Sequence, residues 1–532
     1  MKRVWILMLS IVLLVSLFLP SATATTVAYD DTVGHWAKAT IEKWSDNNIV
    51  NGYNGKFRPD DYITRGEMAV ILNRLMKYQV SASSPFTDLT SGEFYTDAVL
   101  KANAAKVMLG YNGKASPMAS ITREDAFVMI SRALKISDVS GYTIKALDAG
   151  NISDYAKNAI AAMESQGMIK GRPDGKIYPK DAMTRAETLQ VLENIVAKIY
   201  STAGTYSANA DGYVIINTPN VVLNNMTING TLVVGPGVGD GDCTIQNVTV
   251  TNGVVVLGGG ANSFKVLGNS TISGTLIIDK VDNGTSGGEV RIYTDTGVEI
   301  PMVYVEDGSD DIILAGAFTD VVVRGEVNVT LPTGTTVSNL TLEAPANIAG
   351  EGTVATATVA STVTGAVSIS GNITNLNIQA AATVTLPAGT TVSNLSVDAP
   401  AAITGTGTVT QATLTTQASG TSFETAPNTT TAPTGTEIII AGDEITSDGS
   451  AITNTGGSSG GGTTGGGDSG VGYTPITVSD VTLYFSNGAE ATAVISGSTA
   501  TFDLTDKISY PNNYAIDGLR ITTSAATSYV VG

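Results

Sequence analysis

Three arginines stand at matching places in a repeated pattern, and they are the residues best suited to grip an anion. Ile63-Thr64-Arg65-Gly66-Glu67, Ile121-Thr122-Arg123-Glu124-Asp125 and Met183-Thr184-Arg185-Ala186-Glu187 share one frame. Thr64 with Glu67, and Thr184 with Glu187, have capping-box spacing: the hydroxyl accepts the backbone N–H three residues on, and the carboxylate reaches back. These four are read as structural caps, and Asp125 as a shorter version of the same device. Each arginine then falls in a first helical turn. Partial positive charge already gathers there, so a cation is disfavoured by a few tenths of a kcal/mol. Two chemistries explain its recurrence. A guanidinium fork beside a helix N-terminus receives a carboxylate or similar anion. Alternatively each arginine pairs with an acid of the chain, with Asp31, Asp88 and Asp148 as candidates. The residues alone leave both open.

Other chemistry is sparse. Among 532 residues there is one histidine, His35, and one cysteine, Cys243. That excludes a disulfide scaffold and any multi-histidine or multi-cysteine metal site. His35 is read as structural, near a helix start, and Cys243 as a buried small residue. Asp240 with Asp242, and the run Glu306-Asp307-Gly-Ser-Asp310-Asp311, supply oxygen ligands that suit Ca²⁺, with solvated turns as the plainer reading; Asp240, Asp242, Asp307, Asp310 and Asp311 are the metal candidates, and no other cofactor is expected. The net charge of −19 speaks against nucleic acid as a partner. Residues 1–200 carry 23 Lys+Arg and 20 Asp+Glu, whereas residues 201–532 carry 6 and 28. A near-neutral front is joined to a strongly acidic rear, as if the two halves met different surroundings.

The elements that position the arginines form a triple repeat. Trp36 is followed by Ile41 after 5 residues and by Gly52 after 16; Phe94 by Val99 and Gly110, and Tyr155 by Ile160 and Gly171, keep the same offsets. From each glycine to its arginine is 13, 13 and 14 residues. Ile41 and Trp44, then Met68, Ile71, Leu72 and Leu75, fall at helical spacing. Gly52 to Gly55 and Pro59-Asp-Asp mark the loop between the two helices of the first unit.

This aromatic–Gly–I-T-R-x-E pattern, three times over residues 29–196, resembles the S-layer homology (SLH) domain family. The resemblance covers about a third of the chain. It implies a pseudo-threefold all-α bundle with one long helix per repeat at the centre. It also implies inter-repeat grooves that hold a pyruvylated secondary polymer attached to peptidoglycan. Carried over by position, the ligand-binding residues would be Arg65, Arg123 and Arg185; Asp31, Asp88 and Asp148; Trp36; and Gly52, Gly110 and Gly171. Phe94 and Tyr155 depart from the family's tryptophan, and Asp125 from its glutamate. Lys114-Ala-Ser-Pro also replaces Lys56-Phe-Arg-Pro. The three grooves are therefore expected to be unequal.

Beyond Tyr200 the period changes to strand alternation, as in Val321–Val329. Thr227–Val234 matches Thr271–Ile278 at 44 residues, and Leu331–Leu340 matches Leu386–Leu395 at 55. Forty-four suits two rungs of a parallel β-helix of about 22 residues. Fifty-five does not, so either the coils vary or part of 320–420 is a separate sandwich. The pattern resembles the right-handed β-helix of surface polysaccharide enzymes and adhesins.

Residues 1–24 have a basic start, an apolar run and Ala22-Thr23-Ala24, the form of a secretory signal. No later stretch is apolar enough to span a bilayer, so no membrane contact is expected once the signal is cleaved. The expected organisation is signal 1–24, repeats 29–80, 84–136 and 146–198, a β-solenoid 205–440, a Gly/Ser/Thr-rich linker 441–474 and a small β module 475–532. The reading that follows is a secreted, wall-anchored surface protein. Its partner would be a wall polysaccharide, and its rear structural or adhesive rather than catalytic. The alternatives are a tethered β-helix lyase or hydrolase, and a self-assembling S-layer lattice subunit.

Overall fold

The computed structural model describes residues 28–454 apart from 82, 137–140, 281–287 and 307–309, and beyond them only strands between 478 and 531. The signal segment and the Gly-rich linker thus lie outside the described residues. So does the Ser486-Asn-Gly488 turn.

Each repeat contributes an outer helix and a central one. The outer helices are α1 (Lys38–Asp46), α3 (Thr96–Ala104) and α5 (Asp154–Ser165). The central ones are α2 (Arg65–Met76), α4 (Arg123–Leu134) and α6 (Arg185–Ile195). The central helices bury Met68, Leu72 and Leu75, or their counterparts Ala126, Ile130 and Ala133, and Thr188, Leu192 and Ile195, at helical period. Packing is staggered: α3 lies on α2, α5 on α4, and α1 closes the ring on α6. The Trp44 indole donates to Glu193 at 2.8 Å across that last seam. The threefold is also written in the backbone. Ile63 N–H donates to Met183 O, Met183 N–H to Ile121 O, and Ile121 N–H to Ile63 O, each at 3.0 Å.

The chain passes from α6 into the first strand, β1 (Val196–Tyr200), without a spacer. Two parallel sheets then rise together as a β-solenoid of about 12 turns. Register gives the coil length directly. Leu232 pairs with Val254 and Val221 with Cys243, a step of 22. Later coils shorten: Val337 pairs with Val354, and Val354 with Ile373, steps of 17 and 19. The 44-residue match is therefore two long coils and the 55-residue match three short ones, and no separate sandwich interrupts residues 320–420. Asparagines stack along the outside, with Asn347 donating to Asn328 at 3.2 Å and Asn394 to Asn375 at 3.1 Å.

The far end is closed by reversal of direction. Glu437–Ile440 pairs antiparallel with Asp443–Thr446, and Thr429–Thr431 with Ile452–Thr453. Residues 441–454, expected in the linker, include these closing strands.

In the other compact unit, Val478–Phe485 pairs antiparallel with Glu490–Thr492 and with Ile516–Thr523, which in turn pairs with Ser528–Val531.

The triplet and the solenoid share a core. In β2 (Tyr213–Ile216), β3 (Thr231–Val234) and β4 (Gly253–Val256) every residue is buried. Val214, Ile216, Leu232, Val234, Val254 and Val256 point into the solenoid. Tyr213, Ile215, Val233 and Val255 join the apolar core of the helices. The Asn217 side chain donates to Leu75 O at 2.8 Å, and Lys135 pairs with Asp279, across the same joint.

Candidate functional site

The helix N-termini are not open receptors. Arg65 N–H and Gly66 N–H donate to Ala119 O and Pro117 O of the next repeat. Arg123 and Glu124 do the same to Asp181 and Pro179, and Arg185 and Ala186 to Asp61 and Pro59. Thr64, Thr122 and Thr184 cap the N–H of Glu67, Asp125 and Glu187. The full reciprocal box is present in the first and third repeats. The free N–H groups expected beside each arginine are thus satisfied by neighbouring loops.

The arginines close a second ring. Arg65 Nε donates to Ala115 O at 3.0 Å, Arg123 Nε to Ile177 O at 2.7 Å, and Arg185 Nε to Phe57 O at 3.1 Å. Each also meets the capping acid of the following repeat. Arg65 Nη1 lies 2.6 Å from Asp125, Arg123 Nη1 3.4 Å from Glu187, and Arg185 Nη1 2.9 Å from Glu67. The internal ion pair, one of the two chemistries open in the sequence, is present, but with the capping acids and not with Asp31, Asp88 or Asp148. Arg123 and Arg185 are buried and Arg65 half-buried. Burial holds the Arg123 and Arg185 guanidinium groups below their ordinary values, with Glu187 and Glu67 working in the other direction.

The aspartates have another task. Asp31 accepts from Phe57 N and Arg58 N at 2.8 and 2.7 Å. Asp88 accepts from Ala115 N and Ser116 N, both at 2.8 Å, and Asp148 from Ile177 N and Tyr178 N at 2.9 and 2.8 Å. The second residue of each braced pair (Arg58, Ser116, Tyr178) is left-handed, with φ of 58°, 50° and 52°. The carboxylates stabilise these strained turns. Desolvation works against their ionisation, but the backbone donors hold Asp31 and Asp88 below the usual carboxylate range. Gly52 and Gly110 are required by close approach. A Cβ there would come within 2.4 Å of Lys56 O and 2.5 Å of Lys114 O.

Aromatic rings are prominent among the large apolar side chains that the repeats leave exposed. Trp36, Phe94 and Tyr155, at one repeat position, are 61%, 64% and 54% exposed. Two grooves combine parts from all three repeats. The first is lined by Arg65, Asp125, Tyr155 and the Leu109–Tyr111 turn. The second is lined by Arg185, Glu67, Phe94, Asn51 and Arg74. Arg123, Glu187 and Trp36 are the corresponding set for the third. The grooves differ as the departures from the family pattern implied. The Tyr155 hydroxyl stands 2.8 Å from Asp125 and 3.0 Å from Glu124, whose buried carboxylate also meets Ser153 and Lys180. Sequence reasoning passed over Phe94 and Tyr155 as groove residues, although their fixed offset from Gly110 and Gly171 marks them. It also missed that the capping acids face the neighbouring arginine.

Elsewhere the candidate residues are committed. Lys280 is buried between Asp240 and Asp310 at 2.8 and 2.7 Å. Asp242 faces Lys265 at 3.7 Å, and Asp311 accepts from Asn328 at 2.8 Å. Asp307 lies outside the described residues. Among those described, no group of three or more acidic, histidine or cysteine side chains could hold a metal ion. The described Ca²⁺ candidates thus face an ammonium group, a second lysine and an amide. His35 Nδ1 accepts from Ala37 N–H at 3.1 Å at the start of the first helical turn. Cys243 is buried, which pushes its thiol up to about 12.

The described fold is a ring of three helical units with inter-repeat grooves, fused to a β-solenoid. The S-layer homology domain model matches this ring at residues 28–69, 85–127 and 147–189, which supports a cell-surface, wall-anchored protein. Among similar proteins, an amylopullulanase of Thermoanaerobacterium thermosulfurigenes is 29% identical over 32% of this chain and 10% of its own length. A surface-layer 125 kDa protein of Lysinibacillus sphaericus is 23% identical over 36% of this chain and 16% of its own. A cellulosome-anchoring protein of Acetivibrio thermocellus is 28% identical over 27% of this chain and 34% of its own. The chain thus spans at most about a third of the length of these relatives. No described helix is long and apolar enough to cross a membrane.

Proposed function

We propose that the helical triplet tethers the chain to the bacterial cell wall by binding an anionic, pyruvylated wall polysaccharide in its grooves, and that the solenoid is displayed outward as a structural or adhesive stalk. One observation carries the reading. An exposed aromatic ring recurs at one position of every repeat, and Phe94 and Tyr155 each stand in a groove with an arginine and a carboxylate drawn from the other two repeats. Aromatic faces receive the apolar face of a sugar, while flanking polar groups fix its orientation. Grooves on one rigid body add avidity without new contacts. The arginines serve here by shaping the groove floor, with their remaining N–H groups available to a ligand. The names of the cellulosome-anchoring and surface-layer relatives fit anchoring.

The test uses the exposed rings, because their loss leaves the core intact. The secreted chain should sediment with purified walls. Trp36→Ala, Phe94→Ala and Tyr155→Ala combined should release it, with an unchanged circular dichroism spectrum. Full retention of this triple variant would refute groove binding. The amylopullulanase likeness keeps a second reading, that of a tethered polysaccharide-active enzyme. Release of reducing sugar from wall or plant glycans would favour it. A third reading, a lattice subunit, would show as ordered sheets of purified protein.

A further inference from the structure

The first groove does not end at the repeats. Val107 and Arg132 line both that groove and a cleft between the triplet and the solenoid, whose other wall includes Pro236, Leu257 and Lys280. Of the cations along this path, Lys101 pairs with Asp97 at 2.9 Å, Lys135 with Asp279, and Lys280 with Asp240 and Asp310. The Arg132 guanidinium has no hydrogen bond or ion pair among the described residues, although it is only partly exposed. Desolvation lowers its pKa, with Asp125, two turns earlier on the same helix, pulling the other way. A second polar group there is also unmatched. Tyr78 lines the cleft and is 7% exposed, and its hydroxyl is buried with no hydrogen-bond partner among the described residues. An orphan hydroxyl is unfavourable, and so is a half-desolvated guanidinium without an anion.

We propose that the joint between triplet and solenoid is a continuation of the first glycan groove, in which Arg132 and the Tyr78 hydroxyl receive an anionic group of a wall glycan one or more units beyond the sugar on Tyr155. This rests on the wall-binding reading and deepens it, because it makes the site longer than one sugar and lends it a wall from the solenoid. It also separates the grooves. Nine residues after each motif arginine stand Arg74, Arg132 and Asn194, so the third groove lacks the second cation.

The experiment titrates the full chain with glycan released from purified walls and sized into short and long fractions. Arg132→Gln should weaken binding of the long fraction about tenfold, the loss of one charge-assisted bond. It should weaken the short fraction much less and leave the melting temperature unchanged, since the Arg132 guanidinium makes no hydrogen bond or ion pair among the described residues. Arg132→Lys should recover part of the loss. Tyr78→Phe should weaken the long fraction without lowering stability. Wild-type affinity of Arg132→Gln and Tyr78→Phe for both fractions, with Tyr155→Ala impaired, would overturn the extension and spare the anchoring reading. Failure of the wild-type chain to bind any fraction would overturn both.

Discussion

Arg185 shows how one side chain can be structural and still set a binding surface. Its Nε, Nη1 and Nη2 reach Phe57 O, Glu67 and Asn51 O, so it ties the third repeat to the first. Arg185→Ala would strand a carboxylate and two carbonyls, at a cost of about 3 kcal/mol, seen as a lower midpoint in urea. Arg65→Ala, at a less buried pair, should cost less. The aspartate braces give a pH signature. The folded pKa values of Asp31 and Asp88 are depressed, so their contribution is present above the unfolded value of about 4 and is lost as pH falls below it. Urea midpoints should therefore drop between about pH 4 and pH 2. Asp31→Asn plus Asp88→Asn should flatten that drop while lowering stability at neutral pH. The Thr-x-x-Glu caps were legible because capping is local. The partner of each arginine was not, because Glu67 and Arg185 meet only through the closure of the ring, 118 residues apart.

At the scale of elements, the solenoid was legible where coils kept one length and opaque where they changed. Strand alternation in Thr336–Leu342 and Thr391–Val397 places Val337, Leu340 and Leu342 inward, and Val392, Leu395 and Val397 after them, each worth about 1.5–3 kcal/mol when buried. The same cue holds the unread message of the joint. Tyr213-Val-Ile-Ile and Gly253-Val-Val-Val do not alternate, and an unbroken apolar strand is one covered on both faces. Closure at the far end follows from edge chemistry. Glu437–Ile440 and Thr429–Thr431 would offer unpaired backbone to another chain were they not covered by antiparallel strands. A chain lacking residues 443–453 should therefore self-associate, eluting earlier and scattering more light than the intact chain. A monomeric deletion variant would show that the closing strands do no capping.

At the scale of the molecule, the helical triplet and the solenoid belong to one compact unit. Ile195 ends a helix and Val196 begins a strand, so no hinge separates the two folds. Val233 and Val255 are solenoid residues that belong to the core of the triplet. A displacement of the solenoid would thereby reach the triplet through packed side chains rather than a flexible linker. One cooperative transition should then cover both folds in calorimetry. Val233→Glu with Val255→Glu would bury two unpaired carboxylates in the joint, costing several kcal/mol, while leaving the inward column of Leu232, Val234, Val254 and Val256 in place. The expected result is two separate transitions, with the triplet melting first because it loses the sheet that covers its apolar end. The solenoid transition should stay near the wild-type temperature. Two transitions already present in the wild-type chain, or a single shifted one in the variant, would mean that the shared core does not couple the folds.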